Sequence, residues 1–231
     1  MIRKYKHLFF DLDHTLWDFD SNARITLQHL YEVHQLGNYF SSFDHFFSVY
    51  QPINLDLWEQ YRKGLVRKNV LYVERFGIPF RMYGCDDAKL AADFGSEFLH
   101  QCSLKTNLMP HALEVLAYLR PHYKMHIITN GFKETQYKKM ELSGLSPFFD
   151  RVFISEVIGA QKPKKAFFEY AVKSSNARKR ESLVIGDNLE ADIQGAKNFD
   201  LDHVYYNPHK EDHQQNVMHE ISSLLELTQF L

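Results

Sequence analysis

Acidic residues crowd the segment HLFFDLDHTLWDFD, residues 7–20. The apolar run Leu8-Phe9-Phe10 stops at Asp11, and Asp13 follows one residue on. Further polar groups end later apolar runs. Thr129 and Asn130 close MHIITNG (125–131), and Asp187 closes SLVIGDN (182–188). Two more polar strings, QKPKK (161–165) and GDNLEAD (186–192), lie beside these ends. Carboxylates can hold hard cations, attack electrophiles or carry protons. Lysines and amides at helix starts attract anions. Taken singly, each string is ordinary: Asp-x-Asp-x-Thr arises by chance in roughly a few per cent of chains this size. Asn-Gly is a common turn, and most of the 27 lysines and arginines must be surface residues. Their fixed order at successive strand ends is what calls for an explanation.

The elements that must position these residues alternate. HLFFD (7–11), MHIITNG (125–131), DRVFIS (150–155), SLVIGDN (182–188) and DHVYY (202–206) form short, continuous apolar runs. Such runs predict strands buried on both faces, as in a parallel sheet. Helical patterns separate them at 111–120, 133–144, 164–175 and 189–198. Pro110 and Pro163 stand near two helix starts, and Gly144 marks a helix end. The alternation predicts an α/β fold, a Rossmann-like parallel-sheet core. Residues 17–104 break it, because they read as helical throughout. The predicted organisation is a core of 1–16 and 105–231 with an all-helical cap inserted at 17–104. In such sheets ligands bind beyond the carboxyl ends of the strands, so the polar groups should gather at one edge.

The whole chain sets bounds on function. Its 231 residues suffice for a sizeable core. A net charge of −2 gives no overall pull toward nucleic acid polymers or anionic membranes. Two cysteines, Cys85 and Cys102, without a CxxC, exclude a disulfide framework or a thiolate zinc site. The apolar run near the N-terminus is too short for a signal peptide, and no window approaches a membrane span. The expected setting is cytoplasmic. No feature of the sequence bears on oligomeric state.

Asp11-x-Asp13-x-Thr15, TNG, the Lys162 segment and GDNLEAD, in that order over nearly the whole chain, resemble the haloacid dehalogenase superfamily of phosphotransferases. FFDLDHTLWDFDSNA, IITNGF, ISEVIGAQKP and the stretch NLDLWEQYRKGLV (54–66) are similar to its noncanonical pyrimidine 5′-nucleotidase branch. The resemblance implies a helical cap inserted just after the first motif, the place where the alternation breaks. It also implies Mg²⁺ bound by Asp11 and Asp187 through side chains and by Asp13 through its backbone carbonyl.

A phosphate dianion repels a carboxylate, so attack on phosphorus needs positive charge close by. On the family pattern Asp11 is the nucleophile and forms an aspartyl-phosphate. Asp13 gives a proton to the leaving oxygen and later takes one from water. Lys162 neutralises the phosphoryl group. Thr129, Asn130 and Gly131 bind phosphate, while Thr15 and Asp192 support the site. Position 14 departs from the pattern, with His14 where many members have Gly. His14, Trp17 and Trp58 are candidates for the substrate pocket, and Trp17 is the first choice for stacking on a base. The expected partner is a small phosphate ester, a nucleoside 5′-monophosphate of the UMP, dUMP or dTMP type. A sugar-phosphate phosphatase or mutase would share every motif. A non-catalytic phospholigand-binding regulator would be expected to have lost Asp11, Asp13, Lys162 or Asp187.

Overall fold

The computed structural model describes residues 4–231; the first three residues of the predicted core lie outside the described residues. The chain divides into two compact units. One takes in the chain up to Phe19 together with Thr106–Leu231, and the other is Asp20–Lys105.

The first unit is built on a six-stranded sheet with every pairing parallel, in the order β3-β2-β1-β4-β5-β6. The strands are β1 (His7–Phe10), β2 (Lys124–Thr129), β3 (Arg151–Ile154), β4 (Ser182–Gly186), β5 (Asp202–Tyr206) and β6 (His219–Ile221). β1 and β4 are buried along their whole length, as continuous apolar runs require in a sheet covered on both faces. Register aligns Phe10 with Ile127 on one side and Ile185 on the other, so the residues after β1, β2 and β4 emerge at one edge. Phe9, Ile128, Phe153, Phe167, Phe168 and Val184 pack one face of the sheet into a common cluster. Burying each such side chain stabilises the unit by about 1.5–3 kcal/mol. The edge strand β6 was not foreseen. It is three residues long and follows a charged stretch, so it shows neither run nor alternation.

Helices α5 (Ala112–Leu119), α6 (Lys133–Leu142), α7 (Ser155–Ile158), α8 (Lys165–Ser174) and α9 (Gly195–Asn198) link the strands, and a π-helical turn, Leu189–Gln194, precedes α9. Gly144 has a φ of 73°, a left-handed conformation that closes α6 without steric cost to glycine.

The second unit holds the helical cap, α1 (Phe19–Val33), α2 (Phe43–Lys63), α3 (Lys68–Met82) and α4 (Ala88–Cys102). Ser42 and Asp87 cap α2 and α4 by accepting hydrogen bonds from the backbone N–H groups of His45 and Leu90. Its core is aromatic. Tyr50 stacks on Phe76 at 5.2 Å, and Phe94 meets Phe76 at 4.8 Å and Phe80 at 5.4 Å. The buried guanidinium of Arg75 lies over the rings of Phe76 and Phe98, at 5.0 and 4.9 Å. No helix among the described residues is long and apolar enough to cross a membrane.

Candidate active site

At the carboxyl edge of the sheet, Asp11 continues β1: its N–H donates to the Ile185 carbonyl of β4 at 2.9 Å. Its carboxylate Oδ1 accepts from Lys162 Nζ at 2.6 Å. The same ammonium donates to Asp192 Oδ1 at 2.6 Å and to the Ile128 carbonyl at 2.9 Å, which uses all three of its protons. Asn130 fixes the lysine from behind. Its side-chain amide donates to the Lys162 carbonyl at 2.9 Å and accepts from the Lys162 N–H at 3.0 Å. Thus the side chain of Asn130 serves Lys162, which leaves its backbone N–H as the group that could meet phosphate.

Asp187, just past β4, accepts a 2.7 Å hydrogen bond from the Thr15 hydroxyl. Asp192 lies on the π-helical turn, and its Oδ2 accepts from the Asn188 N–H at 3.2 Å. Gly186 makes this approach possible: a Cβ there would come within 2.5 Å of the Asp192 carboxylate. Asp11, Asp187 and Asp192 offer ligand oxygens that all lie within 4.8 Å of one another.

Three carboxylates gather where Lys162 supplies one ammonium, and the imbalance shows in Asp11 and Asp187. Burial, reinforced by Asp192 and Asp187 against the pull of Lys162, pushes Asp11 well above the ordinary carboxylate range. Burial also raises Asp187, with His14 and Thr15 opposing it and Asp192 adding to it. For Lys162, burial alone would lower the ammonium, but Asp11 and then Asp192 outweigh it and hold it above its ordinary value. The set fits a hard divalent cation, since oxygen donors and unbalanced negative charge are what Mg²⁺ requires. Asp192 joins Asp11 and Asp187 in this side-chain set; the ligand expected of Asp13 is its backbone carbonyl, which stands outside a set of side-chain oxygens.

Asp13 faces other neighbours. Its Oδ1 accepts from Lys139 Nζ at 2.6 Å and its Oδ2 from Gln136 Nε2 at 2.9 Å. Burial pushes its carboxyl up, but Lys139 and Gln136 outweigh burial and hold it below the ordinary value. The Gln136 amide also donates to Thr129 Oγ1 at 2.7 Å, and the Gly131 N–H donates to the same hydroxyl at 3.0 Å. Thr129 therefore keeps its own O–H to donate, while the Gly131 N–H is engaged within the loop. A Cβ at Gly131 would lie 2.1 Å from Gln136 Nε2, so a larger residue there would push the Gln136 amide from its place.

The pocket candidates divide. Trp17 is 0% exposed, with Lys139 Nζ 4.3 Å from its ring centroid and Phe19 edge-on at 6.2 Å. A closed-off indole cannot stack on a nucleobase, so the expectation for Trp17 is corrected: it is core, and a seat for Lys139. His14 is partly exposed and has a φ of 64°, the left-handed conformation glycine adopts freely and histidine only at some cost. Its ring sits 5.0 Å from that of Phe19. Trp58 lies in the cap on α2, half-buried and edge-on to Tyr61 at 5.8 Å.

Sequence reasoning missed Gln136 and Lys139. Helix α6 buries Thr135, Gln136, Lys139 and Met140 and exposes Tyr137 and Leu142, so the face it buries is mostly polar. The signal that could have found them is their i, i+3 spacing just after TNG.

A family model for haloacid dehalogenase-like hydrolases matches residues 5–200. The pyrimidine 5′-nucleotidase PynA of Streptococcus pneumoniae is 34% identical over 214 residues, 91% of this chain and 88% of that protein. The pyrimidine 5′-nucleotidase YjjG of Escherichia coli is 32% identical over 231 residues, 99% of this chain and 98% of that protein. The structure of the HAD-hydrolase YfnB of Bacillus subtilis, bound to magnesium and described as revealing interdomain movement, matches with a TM-score of 0.89. It is 30% identical and covers 98% of both chains. More distant relatives include a glyceraldehyde 3-phosphate phosphatase of Pyrococcus abyssi, 29% identical over 205 residues, 87% of this chain and 81% of that protein.

Proposed function

The chain belongs to the haloacid dehalogenase-like hydrolases, and from that premise we propose a magnesium-dependent phosphomonoesterase that hydrolyses pyrimidine nucleoside 5′-monophosphates in the cytoplasm. The observation that carries the chemistry is Asp11, held at the end of β1 by Lys162 within a triad of carboxylates. The nucleotide preference is supported by similarity to two pyrimidine 5′-nucleotidases over most of the chain, cap included.

Asp11, Asp187 and Asp192 would hold the metal, with the Asp13 carbonyl in the ligand set that the resemblance implies. Bound magnesium supplies the positive charge that lets a carboxylate approach a phosphate dianion. In the first step a carboxylate oxygen of Asp11 attacks phosphorus. Asp13, ionised beside Lys139 and Gln136, takes up a proton as the phosphate dianion arrives; the bond to the sugar oxygen then breaks, and that oxygen takes this proton from Asp13. In the second step Asp13, now ionised, removes a proton from water as the water oxygen attacks the phosphorus of the aspartyl-phosphate. Inorganic phosphate leaves, Asp11 is regenerated, and Asp13 has its proton back. Lys162 fixes Asp11 and offers charge to the phosphoryl oxygens, and the Thr129 hydroxyl donates to one of them. Asn130 keeps Lys162 in place, Thr15 orients Asp187, and Asp192 balances Lys162. We assign substrate choice to the cap, residues 17–104, because the motifs of the sheet edge are common to many phosphate esters.

The test is phosphate release with Mg²⁺ across UMP, dUMP, dTMP, CMP, AMP, GMP and glyceraldehyde 3-phosphate. Preference for uracil and thymine nucleotides supports the proposal. Preference for glyceraldehyde 3-phosphate would favour the second reading, a sugar-phosphate phosphatase, which the Pyrococcus relative motivates.

A further inference from the structure

Helix α6 presents an unusual buried face. Gln136 is 0% exposed and Lys139 5%, in a helix whose exposed residues include Tyr137 and Leu142. An ammonium taken out of water costs several kcal/mol unless it is paired, and an aliphatic side chain at the same place would avoid that cost. Such a face is costly to bury unless its groups are paired, and both of its long side chains meet one carboxylate. Lys139 Nζ donates to Asp13 Oδ1 at 2.6 Å and Gln136 Nε2 to Oδ2 at 2.9 Å, so both oxygens of Asp13 are held.

The two holders are themselves anchored. The Lys139 ammonium rests 4.3 Å from the ring centroid of buried Trp17. Gln136 donates a second bond to the Thr129 hydroxyl at 2.7 Å, and its Oε1 accepts from the Thr135 hydroxyl at 3.3 Å. The glycine of TNG leaves the room that Gln136 occupies.

We infer that Gln136 and Lys139 are positioning residues that fix the Asp13 carboxylate for proton transfer and tie it to the Thr129 phosphate loop. The inference rests on the phosphomonoesterase reading, in which Asp13 moves the proton of the leaving oxygen. Proton transfer needs its donor within hydrogen-bond reach and correctly turned, so a loosened Asp13 should fail most where the leaving group needs its proton most. An alkoxide leaving group needs protonation, and p-nitrophenolate does not.

The experiment compares steady-state hydrolysis of p-nitrophenyl phosphate with that of UMP, or of whichever alkyl monoester the wild type turns over fastest. Lys139→Met and Gln136→Met are measured beside the wild type, each with its thermal midpoint. The expected result is a kcat/KM on the alkyl ester lowered about ten- to a hundredfold and a kcat/KM on p-nitrophenyl phosphate within about threefold of wild type, because kcat/KM reports only the steps up to the aspartyl-phosphate, before Asp13 acts on water. Equal losses on the two esters, or no loss on either, would overturn the inference and reduce the pair to a structural role. If Lys139→Met does not fold, Gln136→Met, which leaves no charge unpaired, decides the matter by the same ratio. A wild type that hydrolyses neither ester overturns the phosphomonoesterase reading and this inference with it. A wild type active on both, with variants equally impaired, overturns the inference alone.

Discussion

The sheet unit and the helical cap treat buried polar groups in opposite ways. At the sheet edge, buried charges are joined into closed networks: Lys162 bridges Asp11 and Asp192, and Lys139 with Gln136 closes on Asp13. The cap interior is a set of aromatic rings, and its one fully buried arginine lies against ring faces. Low dielectric strengthens paired charges and penalises unpaired ones, so a network that is complete can hold reacting groups still. A ring-packed core has no such groups to hold. The difference places the closed charge networks in one unit and an aromatic packed core in the other.

The sharpest way to break that division is at Asp11. Asp11→Asn should lower phosphate release by about 10³-fold or more, while circular dichroism and the thermal midpoint show a folded chain. Near-wild-type turnover would remove the aspartyl-phosphate step and with it the claim that chemistry sits in the sheet unit.

The cap should respond in stability instead. Phe94 is fully buried and packs on Phe46, Phe76 and Phe80. Phe94→Ala should cost about 3–5 kcal/mol in urea unfolding, through lost burial and the cavity left behind. Hydrolysis of p-nitrophenyl phosphate should persist under conditions where the variant remains folded. Loss of that activity without loss of stability would erase the contrast.

Acid should act first on the sheet unit. Burial, helped by neighbouring His7, pushes His126 on β2 down to about 4 from its ordinary 6.5. The unfolded chain thus takes up a proton near 6.5 while the folded chain resists until about 4. Stability from this group is complete above 6.5 and is lost as pH falls to about 4, a change of order 2–3 kcal/mol. His126→Phe, placed beside Phe9 and Phe153, should flatten that part of the stability–pH curve. An unchanged slope would exonerate His126.

The smallest effect concerns recognition. Trp58→Ala in the cap should raise KM for UMP a fewfold and leave p-nitrophenyl phosphate unaltered, on the expectation that stacking on a base contributes about 1–3 kcal/mol at most. Equal changes for both substrates would take Trp58 out of base recognition.

The α/β class and the helical insertion were legible because their signals are local. A buried parallel strand must be apolar along its whole length, and a helix must repeat every three to four residues. β6 escaped because three residues carry no period, whereas α6 was legible as a helix and only its buried polar face was not.

At the site, the sequence alone determined which groups are present and which end of each strand they follow, since strand direction and residue order are covalent facts. Asp11, Thr129 and Asp187 each follow an apolar run that had to be buried. Only the tertiary structure decided who pairs with whom. Asp13 meets Gln136 and Lys139 across separations of 123 and 126 residues, and Asp11 meets Lys162 across 151. It also turned Trp17 from a candidate base platform into a buried support for Lys139. Charge pairing and burial depend on distances through space, and no periodicity along a chain encodes a distance between segments so far apart.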